Sequence, residues 1–390
     1  MMPAATNAST RDATSHLAQV YAQYPLEIVD AAGVTLHTRD GRSVLDLYGG
    51  HAVASLGYGH PRWLATLESQ ARTLAFQSNA VPLDVRERAA AKLAAFCGLG
   101  LDTVFFVNSG AEANENALKI ALSLTGRRHV VAVEGAFHGR TAAAGAVTWG
   151  ARDSWYGFPQ APFDVDFVPR DDVAAVERLV TTATAAVIVE PVQGVAGAVD
   201  LSREFLSALR QRCDSTCTQL IFDEVQCGVG RTGEPFAANL YGITPDLITT
   251  AKALGAGFPV AAVLLAGHVA RHLRTNSLGT TFGGGPMACA VVEAVVDAIR
   301  EEHLLENVRS RSSEIRERCI VGPVTGVQGA GLLLGLRTRR PAKDVQRELL
   351  VHDILVGTSA DPNVIRVLAP YVLASEHVAQ LRAALLDLEP

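Results

Sequence analysis

From residue 103 onward, short apolar runs alternate with amphipathic segments, and this alternation restricts the possible folds more than any other feature. The apolar, β-branched runs are predicted to be strands, at residues 104–108, 129–133, 185–190, 219–223, 246–250 and 261–266. Helices are predicted between them, including 111–124, 171–180 and 202–212. Strands and helices in such alternation form a mainly parallel sheet that is covered on both faces. The sequence therefore predicts an α/β fold with a doubly wound sheet, in which the direction of the last run stays open.

The segments on either side of this alternation follow other patterns. Residues 1–20 are small and polar, which predicts a loose arm, and residues 26–48 predict short strands in a hairpin. Further helices are predicted at 61–75, 83–97, 286–304, 341–351 and 375–388, with strands in GLLLGLRT and NVIRVL. We therefore expect an N-terminal arm with a small-domain segment (1–60), a large domain (61–275) and a smaller α+β C-terminal domain (276–390).

Charge and cysteine content exclude some classes of partner. The net charge of −6 makes nucleic acid or an anionic membrane a poor match. The six cysteines are scattered, and the CxxxC pair Cys213 and Cys217 has no second ligand pair nearby, so we expect reduced thiols and no metal. The N-terminus lacks the apolar core of a signal peptide, and no apolar run reaches the ~18 residues of a membrane span. We expect a cytoplasmic protein.

Lys252 is the first candidate for chemistry, because the chain has only three other lysines and all of those lie in ordinary helical sequence. It follows an apolar strand and precedes a Gly-Ala-Gly turn, where a lysine can lose its proton and attack a carbonyl. Asp223 ends another buried strand. Such a lysine, with a carboxylate for a pyridinium nitrogen, is what a protein contributes to pyridoxal phosphate (PLP) chemistry. Taken alone, Lys252 would sooner be read as a surface lysine, and Asp223 could be a helix cap or the partner of a buried arginine.

Two turns could hold a phosphate group. Ser109-Gly110-Ala111 joins a strand to a helix, where free backbone N–H groups favour an anion and the glycine allows close approach. Thr280 and Thr281 lie in the glycine-rich turn GTTFGGGP, whose hydroxyl and amide groups suit the same anion. An ordinary strand–helix joint and a flexible loop tip are the alternatives.

Five more residues could contact a flat ring or a carboxylate. Phe137 could stack on one ring face or fill core space, Val225 could press on the other face, and Gln226 could reach a ring hydroxyl. Arg140 could bind a carboxylate with two hydrogen bonds, or form a surface ion pair. Arg366 lies among apolar residues, where its charge needs a partner from the protein or from a ligand.

The order of the motifs is more specific than any single one. SGAEANENALK, AFHGRT, VEPVQG, IFDEVQCGVGRTG, DLITTAKALGAGFP and GTTFGG follow one another, and together they resemble the class III aminotransferases, most closely the acetylornithine subgroup. The resemblance runs from about Tyr24 to the C-terminus. It implies PLP fold-type I and a homodimer with its active sites at the subunit interface. It also implies transfer of the terminal amine of N-acetylornithine to 2-oxoglutarate, a step of arginine biosynthesis.

The resemblance also implies roles for individual residues. Lys252 would bind the aldehyde of PLP covalently and carry a proton between carbon atoms, with its pKa lowered by a cation-rich site. Asp223 would keep the ring nitrogen protonated. The residues that match the family's cofactor contacts are Gly110, Ala111, Phe137, Asp223, Val225, Gln226, Lys252 and, from the other subunit, Thr281.

Three further positions match the family's substrate contacts. Arg140 matches the arginine that binds the carboxylate far from the reacting amine. Arg366 matches the arginine for the α-carboxylate of glutamate or 2-oxoglutarate, and Thr280 matches a neighbouring contact.

The chain departs from the family pattern at three places. Val195 replaces a glutamate that normally covers the arginine equivalent to Arg366 while the ω-amino substrate is bound, and valine cannot do this. Leu278 replaces a common histidine, and Gly285 replaces the asparagine of GGNP. These departures leave the amino donor open.

Other functions are compatible with parts of the same sequence pattern. The same fold could use N-succinyl-diaminopimelate, a carrier-bound lysine precursor or 4-aminobutyrate as amino donor, whereas an aminomutase fits less well because Arg140 suits an external carboxylate. A non-catalytic PLP-binding or nucleotide-binding module is the alternative of another class. CGVGRTG and GAGFP lack the spacing of nucleotide-binding glycine motifs, and Lys252 is present, so we favour an enzyme.

Overall fold

The computed structural model of the chain describes residues 16–389. Its strands are β1 (Ile28–Ala32), β2 (Thr35–Thr38), β3 (Ser43–Asp46), β4 (Thr103–Val107), β5 (His129–Val133), β6 (Asp164–Val168), β7 (Thr184–Val189), β8 (Val192–Gln193), β9 (Val199–Asp200), β10 (Gln219–Asp223), β11 (Leu247–Thr250), β12 (Ala261–Leu265), β13 (Val324–Ala330), β14 (Leu333–Thr338), β15 (Ile354–Leu355), β16 (Gly357–Thr358) and β17 (Val364–Val367).

Its helices are α1 (Gly49–Ala52), α2 (Pro61–Thr73), α3 (Asp84–Cys97), α4 (Gly110–Thr125), α5 (Ala142–Ala146), α6 (Val173–Leu179), α7 (Arg203–Thr216), α8 (Ala237–Tyr241), α9 (Gly267–Ala270), α10 (Pro286–Glu301), α11 (Leu304–Arg318), α12 (Ala342–Val351) and α13 (Ser375–Asp387). The α1 segment is a single left-handed turn, because φ is positive at all four of its residues. Lys252–Leu254 forms one 3₁₀ turn.

A seven-stranded sheet in the order β4-β12-β11-β10-β7-β5-β6 forms the centre of the fold. Each apolar run that was predicted to be a strand forms one of its strands. All neighbouring pairs are parallel except those of β12, which runs antiparallel to β11 and to β4. The predicted α/β fold with a mainly parallel sheet is therefore confirmed, and the direction that the sequence left open is antiparallel.

Alternate side chains of the sheet pack into two separate cores. Val130 and Ala132 of β5 point into a core shared with α4 and α5. Val131 and Val133 point into the other core, which includes residues of α6, α7 and α10. Because successive side chains of a strand lie on opposite faces, this pattern means that helices cover both faces of the sheet. The sheet is doubly wound, as the apolar runs predicted.

Smaller sheets involve the N-terminal and C-terminal parts of the chain. The predicted hairpin of residues 26–48 is a three-stranded meander, and β15 joins it in parallel beside β3. A second sheet has the order β13-β14-β17-β16, and β8 pairs with β9. The predicted arm falls mostly on residues 1–15, which lie outside the described part of the chain. The division of the chain at residues 60 and 275 stays a prediction.

Two of the elements that were not predicted show why the sequence pattern missed them. The strand β6 lies at the edge of the sheet, and its sequence DVDFV alternates charged with apolar residues instead of forming an apolar run. The predicted helix 286–304 ends at Glu301, because His303 takes a left-handed conformation (φ 53°) from which α11 begins. Most of α11 is polar (LLENVRSRSSEIRER), which conceals its apolar face in the sequence.

Within residues 16–389, no helix combines the length and the apolar character needed to cross a membrane.

Arg231 joins the left-handed turn to the rest of the fold. Its side chain is completely buried and donates hydrogen bonds to the carbonyl oxygens of Leu332, Ala369 and Ala52. Its guanidinium lies 4.5 Å from the centre of the Tyr371 ring. Carbonyl groups and an aromatic face thus take the place of a carboxylate partner.

Replacing Arg231 by methionine is expected to lower the free energy of unfolding by about 2–5 kcal/mol, because three buried carbonyl groups lose their donor. Urea unfolding of the purified protein measures the change. The control is Arg72→Met on the exposed face of α2, where the ion pair with Glu68 is solvent-exposed and worth at most about 0.5 kcal/mol. Equal stability of the two variants would contradict the structural role of Arg231.

Candidate active site

A cavity of ≈ 420 Å³ lies at the edge of the central sheet where the parallel strands end. In open α/β sheets, ligands bind beyond the carboxyl ends of the strands. Most residues that the sequence singled out meet here: those lining the cavity are Gly110, Ala111, Phe137, Arg140, Asp223, Val225 and Lys252. Residues from four distant parts of the chain are thereby brought into one space, which we take as the candidate active site.

The strand–helix turn after β4 forms one wall of the cavity. Ser109 caps α4, because its hydroxyl accepts a hydrogen bond from the backbone N–H of Glu112. The N–H groups of Gly110 and Ala111 have no acceptor within residues 16–389, which suits an anion at a helix N-terminus. A Cβ atom on Gly110 would lie 2.6 Å from a methyl group of Val225. Only glycine therefore allows the turn and Val225 to stand so close.

Asp223 is buried at the end of β10 and already holds three hydrogen bonds. Its carboxylate accepts from His138 Nδ1 (2.7 Å), Asn114 Nδ2 (2.7 Å) and the backbone N–H of Val225 (3.0 Å). A carboxylate has about four acceptor positions, so roughly one remains for a donor in the cavity. Asn114 is fixed in turn by the hydroxyl of Thr249 at 2.6 Å. This network orients the carboxylate before any ligand binds.

The amine of Lys252 lies in the same cavity, and its backbone is held in an uncommon conformation. Its φ of 46° is in the left-handed region, which a non-glycine residue seldom adopts. Burial lowers the pKa of the amine, and the positive charge of Arg366 adds to this, whereas Asp223 and Glu190 oppose it. The expected cation-rich site is therefore wrong as the main cause: loss of water dominates, and nearby carboxylates outnumber cations.

Glu190 is a buried carboxylate to which the sequence analysis assigned no role. It follows β7 and accepts hydrogen bonds from the backbone N–H of Phe137 (2.8 Å) and of Gly194 (3.3 Å). Burial and the neighbouring charge of Asp223 raise the pKa of this carboxyl group. Its position at a strand end, in the motif VEPVQG, was the signal available in the sequence. His138 and Asn114 were missed in the same way, although both lie inside motifs that had been noted.

Arg140 reaches the cavity from the turn after β5. Its guanidinium lies 4.5 Å from the ring centre of Trp155 and 5.9 Å from that of Phe137. No carboxylate among residues 16–389 pairs with it. The surface ion pair considered for Arg140 is therefore absent from the described part of the chain, and the group is available to a ligand.

Arg366 lies in β17, outside the lining of the cavity but close enough to Lys252 to affect its pKa. Its side chain is buried and donates from Nε to the carbonyl oxygen of Thr358 (2.7 Å) and from Nη1 to that of Gly194 (3.3 Å). It forms no ion pair with any described carboxylate. Burial lowers the pKa of its guanidinium. A buried cation held only by carbonyl groups favours an anionic ligand.

The remaining predicted residues lie at the borders of this site. Gln226 is buried and donates to the carbonyl oxygen of His51 (3.1 Å), while its own amide oxygen has no partner within residues 16–389. The hydroxyl of Thr280 accepts a hydrogen bond from Asn108 (3.2 Å), which lines the cavity. Thr281 is exposed.

Comparison with known proteins gives a consistent picture. The family model described as aminotransferase class-III matches residues 17–388. The chain is 36% identical to the acetylornithine aminotransferase of Methanocaldococcus jannaschii over 383 residues, covering 94% of each protein. It is 37% identical to an acetylornithine/succinyldiaminopimelate aminotransferase of Yersinia pestis, covering 94% of this chain and 93% of that protein.

A solved structure is similar over nearly the whole chain. The ornithine aminotransferase of Toxoplasma gondii, described with partial occupancy of PLP at its active site, superposes with a TM-score of 0.89 at 29% identity. The match covers 95% of this chain and 91% of that one. Fold and sequence comparisons thus agree over the same span.

Proposed function

Since the chain belongs to the class III aminotransferases, we propose that it transfers the terminal amine of N-acetylornithine to 2-oxoglutarate. The products are N-acetylglutamate semialdehyde and glutamate, and the step belongs to arginine biosynthesis. Class III aminotransferases depend on PLP and share PLP fold-type I, and this chain has the corresponding α/β architecture.

One observation supports this function most directly. Lys252 shares its cavity with Arg140 and is close enough to Arg366 for that charge to lower the pKa of its amine, and neither arginine pairs with a carboxylate of the described chain. A keto acid with two carboxylates needs two such cations on either side of the reacting centre. Glutamate and 2-oxoglutarate meet this requirement, whereas a silent cofactor-binding module would have no use for the arrangement.

The residues around the cavity fit PLP. The free N–H groups of Gly110 and Ala111 would hold its phosphate, with Thr281 of a second subunit, and Asp223 has an acceptor position left for the ring nitrogen. Phe137 lies on the cavity wall to stack on the ring. Val225 would contact the opposite face of the ring, and the unpaired amide of Gln226 its hydroxyl.

When bound, PLP supplies an aldehyde that takes up the substrate amine and a ring that withdraws electrons from the substrate carbon. Lys252 would hold the cofactor between turnovers and then act as the general base, because its lowered pKa makes the neutral amine more available. Its Nζ would take a proton from the substrate carbon and return it to the cofactor carbon. Asp223 would keep a proton on the ring nitrogen, and His138 and Asn114 would keep that carboxylate in place.

The same geometry explains why N-acetylornithine would suit the site as amino donor. The reacting amine of N-acetylornithine lies several bonds from its carboxylate, which Arg140 could bind, with Thr280 as a neighbouring contact. The acetyl group removes the charge of the α-amine, so this end of the donor brings no second cation near the arginines. Arg366 would then bind the α-carboxylate in the second half-reaction, when 2-oxoglutarate is the acceptor.

A screen of amino donors with 2-oxoglutarate, read as glutamate formed, tests the proposal. We expect N-acetylornithine to give the highest kcat/KM. N-Succinyl-diaminopimelate is the second candidate, since the Yersinia pestis relative carries both substrates in its name. Preference for 4-aminobutyrate, or no glutamate from either acylated donor, would refute the assignment.

A homodimer in the cytoplasm is part of the proposal. Thr281 and the neighbouring Phe282, which is 67% exposed, directly follow Thr280, whose hydroxyl accepts a hydrogen bond from the cavity residue Asn108. An exposed aromatic residue beside the threonine that would bind the phosphate of a partner site supports a second copy of the chain at this surface. The cytoplasmic location is supported by six free cysteines.

Position 195 offers a test of how the two substrates are separated. The carbonyl oxygen of the preceding residue, Gly194, accepts a hydrogen bond from Arg366, so a carboxylate at Val195 would be near that guanidinium. With valine there, glutamate should compete unusually well with the amino donor for the PLP form. We expect Val195→Glu to raise the inhibition constant of glutamate about fivefold or more, because the new carboxylate covers Arg366.

The control for position 195 is Val195→Gln, which has the same size as glutamate but no charge. Steady-state inhibition by glutamate at fixed donor concentration measures all three proteins. Equal inhibition constants in the wild type and in Val195→Glu would contradict the idea that Arg366 stays uncovered.

A further inference from the structure

We propose that Trp155 is a positioning residue for the substrate carboxylate, acting through Arg140; this rests on the proposed function. The indole ring centre lies 4.5 Å from the Arg140 guanidinium, on a residue that no sequence motif singled out. A guanidinium over an aromatic face is attracted by the ring quadrupole, and indole is the strongest such partner. The contact restricts where the free guanidinium can point.

The indole is fixed by the protein independently of any ligand. The backbone N–H of Trp155 donates to the carbonyl oxygen of Ala151 (3.0 Å), and the next residue, Tyr156, donates its hydroxyl to Ala142 (2.7 Å). Gly145 of α5 allows this packing, because a Cβ atom there would lie 3.0 Å from the Tyr156 ring and 3.5 Å from Trp155. These contacts hold the Trp155 backbone in place and pack its indole against α5.

Arg140 itself has few other restraints. It follows Gly139, whose φ of 136° is accessible mainly to glycine, and its side chain is exposed. It makes no ion pair with any residue of the segment 16–389. The two aromatic rings, Trp155 and the more distant Phe137, are the neighbours that can orient it. The ring centres of Phe137 and Trp155 lie 6.4 Å apart. The two aromatic residues therefore connect the cavity wall, where Phe137 lies, with Arg140.

This arrangement gives Trp155 a specific consequence for substrates. A pre-oriented guanidinium loses less conformational entropy when it binds a carboxylate in a two-point contact. Trp155 should therefore contribute to binding of substrates that carry a carboxylate at this end, and should contribute nothing to those that lack it. A residue that only stabilises the fold would affect both kinds alike.

The test compares Trp155→Leu with the wild type on two matched amines. N-Acetylputrescine is N-acetylornithine without its carboxylate, so it reports on everything except the contact with Arg140. We expect Trp155→Leu to raise the KM of N-acetylornithine roughly threefold to fivefold, with kcat changed by less than about twofold. The KM of N-acetylputrescine should stay unchanged. Trp155→Phe keeps a weaker aromatic face, so its KM for N-acetylornithine should lie between those of the wild type and Trp155→Leu.

Trp149→Leu is the matched control from the same segment. Its indole is 48% exposed and packs on Phe167 at 5.1 Å, with no ring or cation contact to Arg140 in the described chain. This variant should leave both KM values unchanged. A KM rise of equal size for both amines in Trp155→Leu, or no rise for either, would overturn the proposal.

A binding measurement separates this proposal from the proposed function. Glutarate carries the two carboxylates of the keto acid but cannot react, so its dissociation constant can be measured on the PLP-loaded enzyme by the change in cofactor absorbance. If the wild type fails to use N-acetylornithine, the proposed function falls, yet glutarate still tests Trp155. Weaker glutarate binding in Trp155→Leu but not in Trp149→Leu would support the role, and equal binding in all three proteins would overturn it.

Discussion

Replacing Lys252 by alanine is expected to lower kcat by about 10⁴-fold, because the variant loses the amine that carries the proton between carbon atoms. The protein should still fold and bind PLP, since the phosphate and ring contacts come from other residues. Glutamate formation from the best donor measures the loss. Absorbance of the purified variant should show that the cofactor is present but no longer bound covalently.

Lys119→Ala is the matched control for this loss. Lys119 is exposed on α4, and within residues 16–389 its Nζ donates only to the carbonyl oxygen of Ser277 (2.9 Å). This variant should keep kcat within about twofold of the wild type. If Lys252→Ala retained more than roughly one per cent of wild-type kcat, another base would have to be found and the assigned role would fail.

Asp223→Asn is the second substitution from which we expect a large effect, a fall in kcat of about 10²–10³-fold. Asparagine keeps the shape of the side chain but removes the negative charge that holds a proton on the ring nitrogen. Without that proton, the ring withdraws electrons less well from the substrate carbon. A PLP analogue methylated at the ring nitrogen carries a fixed positive charge, and it should restore part of the lost activity.

The chain offers a matched control in a second Asp–His pair. His129 Nε2 of β5 lies 3.0 Å from a carboxylate oxygen of Asp166 on the edge strand β6, and the Asp166 side chain is 56% exposed. Asp166→Asn should leave kcat within about twofold. In Asp223→Asn the hydrogen bonds of His138 and Asn114 to the carboxylate are altered. Thermal unfolding of both variants shows whether this change also lowers the stability of the fold. Full activity of Asp223→Asn with ordinary PLP would contradict the assigned role.

The central sheet could be predicted because its strands are apolar on both faces. A buried parallel strand such as VVAV in β5 leaves a continuous apolar run, and its ends locate the polar residues of the site. Edge strand β6 and helix α11 were not predicted, because one side of each faces solvent and carries polar residues that interrupt the apolar pattern. The direction of β12 could not be predicted, because a buried strand has the same apolar pattern whether it is parallel or antiparallel to its neighbours.

The residues that we propose to react followed from their residue types, but the residues that hold them in place did not. Lys252 and Asp223 were identifiable because a lone lysine and a carboxylate at strand ends are costly unless they are used. Glu190, His138 and Asn114 act through hydrogen bonds across the sheet, with sequence separations of up to 109 residues. Trp155 meets Arg140 only through the path of the loop after α5. Such contacts depend on tertiary geometry that no local pattern contains.

The most direct test of this account is to find which amine carries the cofactor. Borohydride reduction of the PLP-loaded enzyme fixes the cofactor on that amine, and mass spectrometry of the peptides then locates it. The account predicts the added mass on the peptide that contains Lys252, and on none of those that contain Lys92, Lys119 or Lys343. Added mass on one of these three lysines, or on no peptide at all, would contradict it.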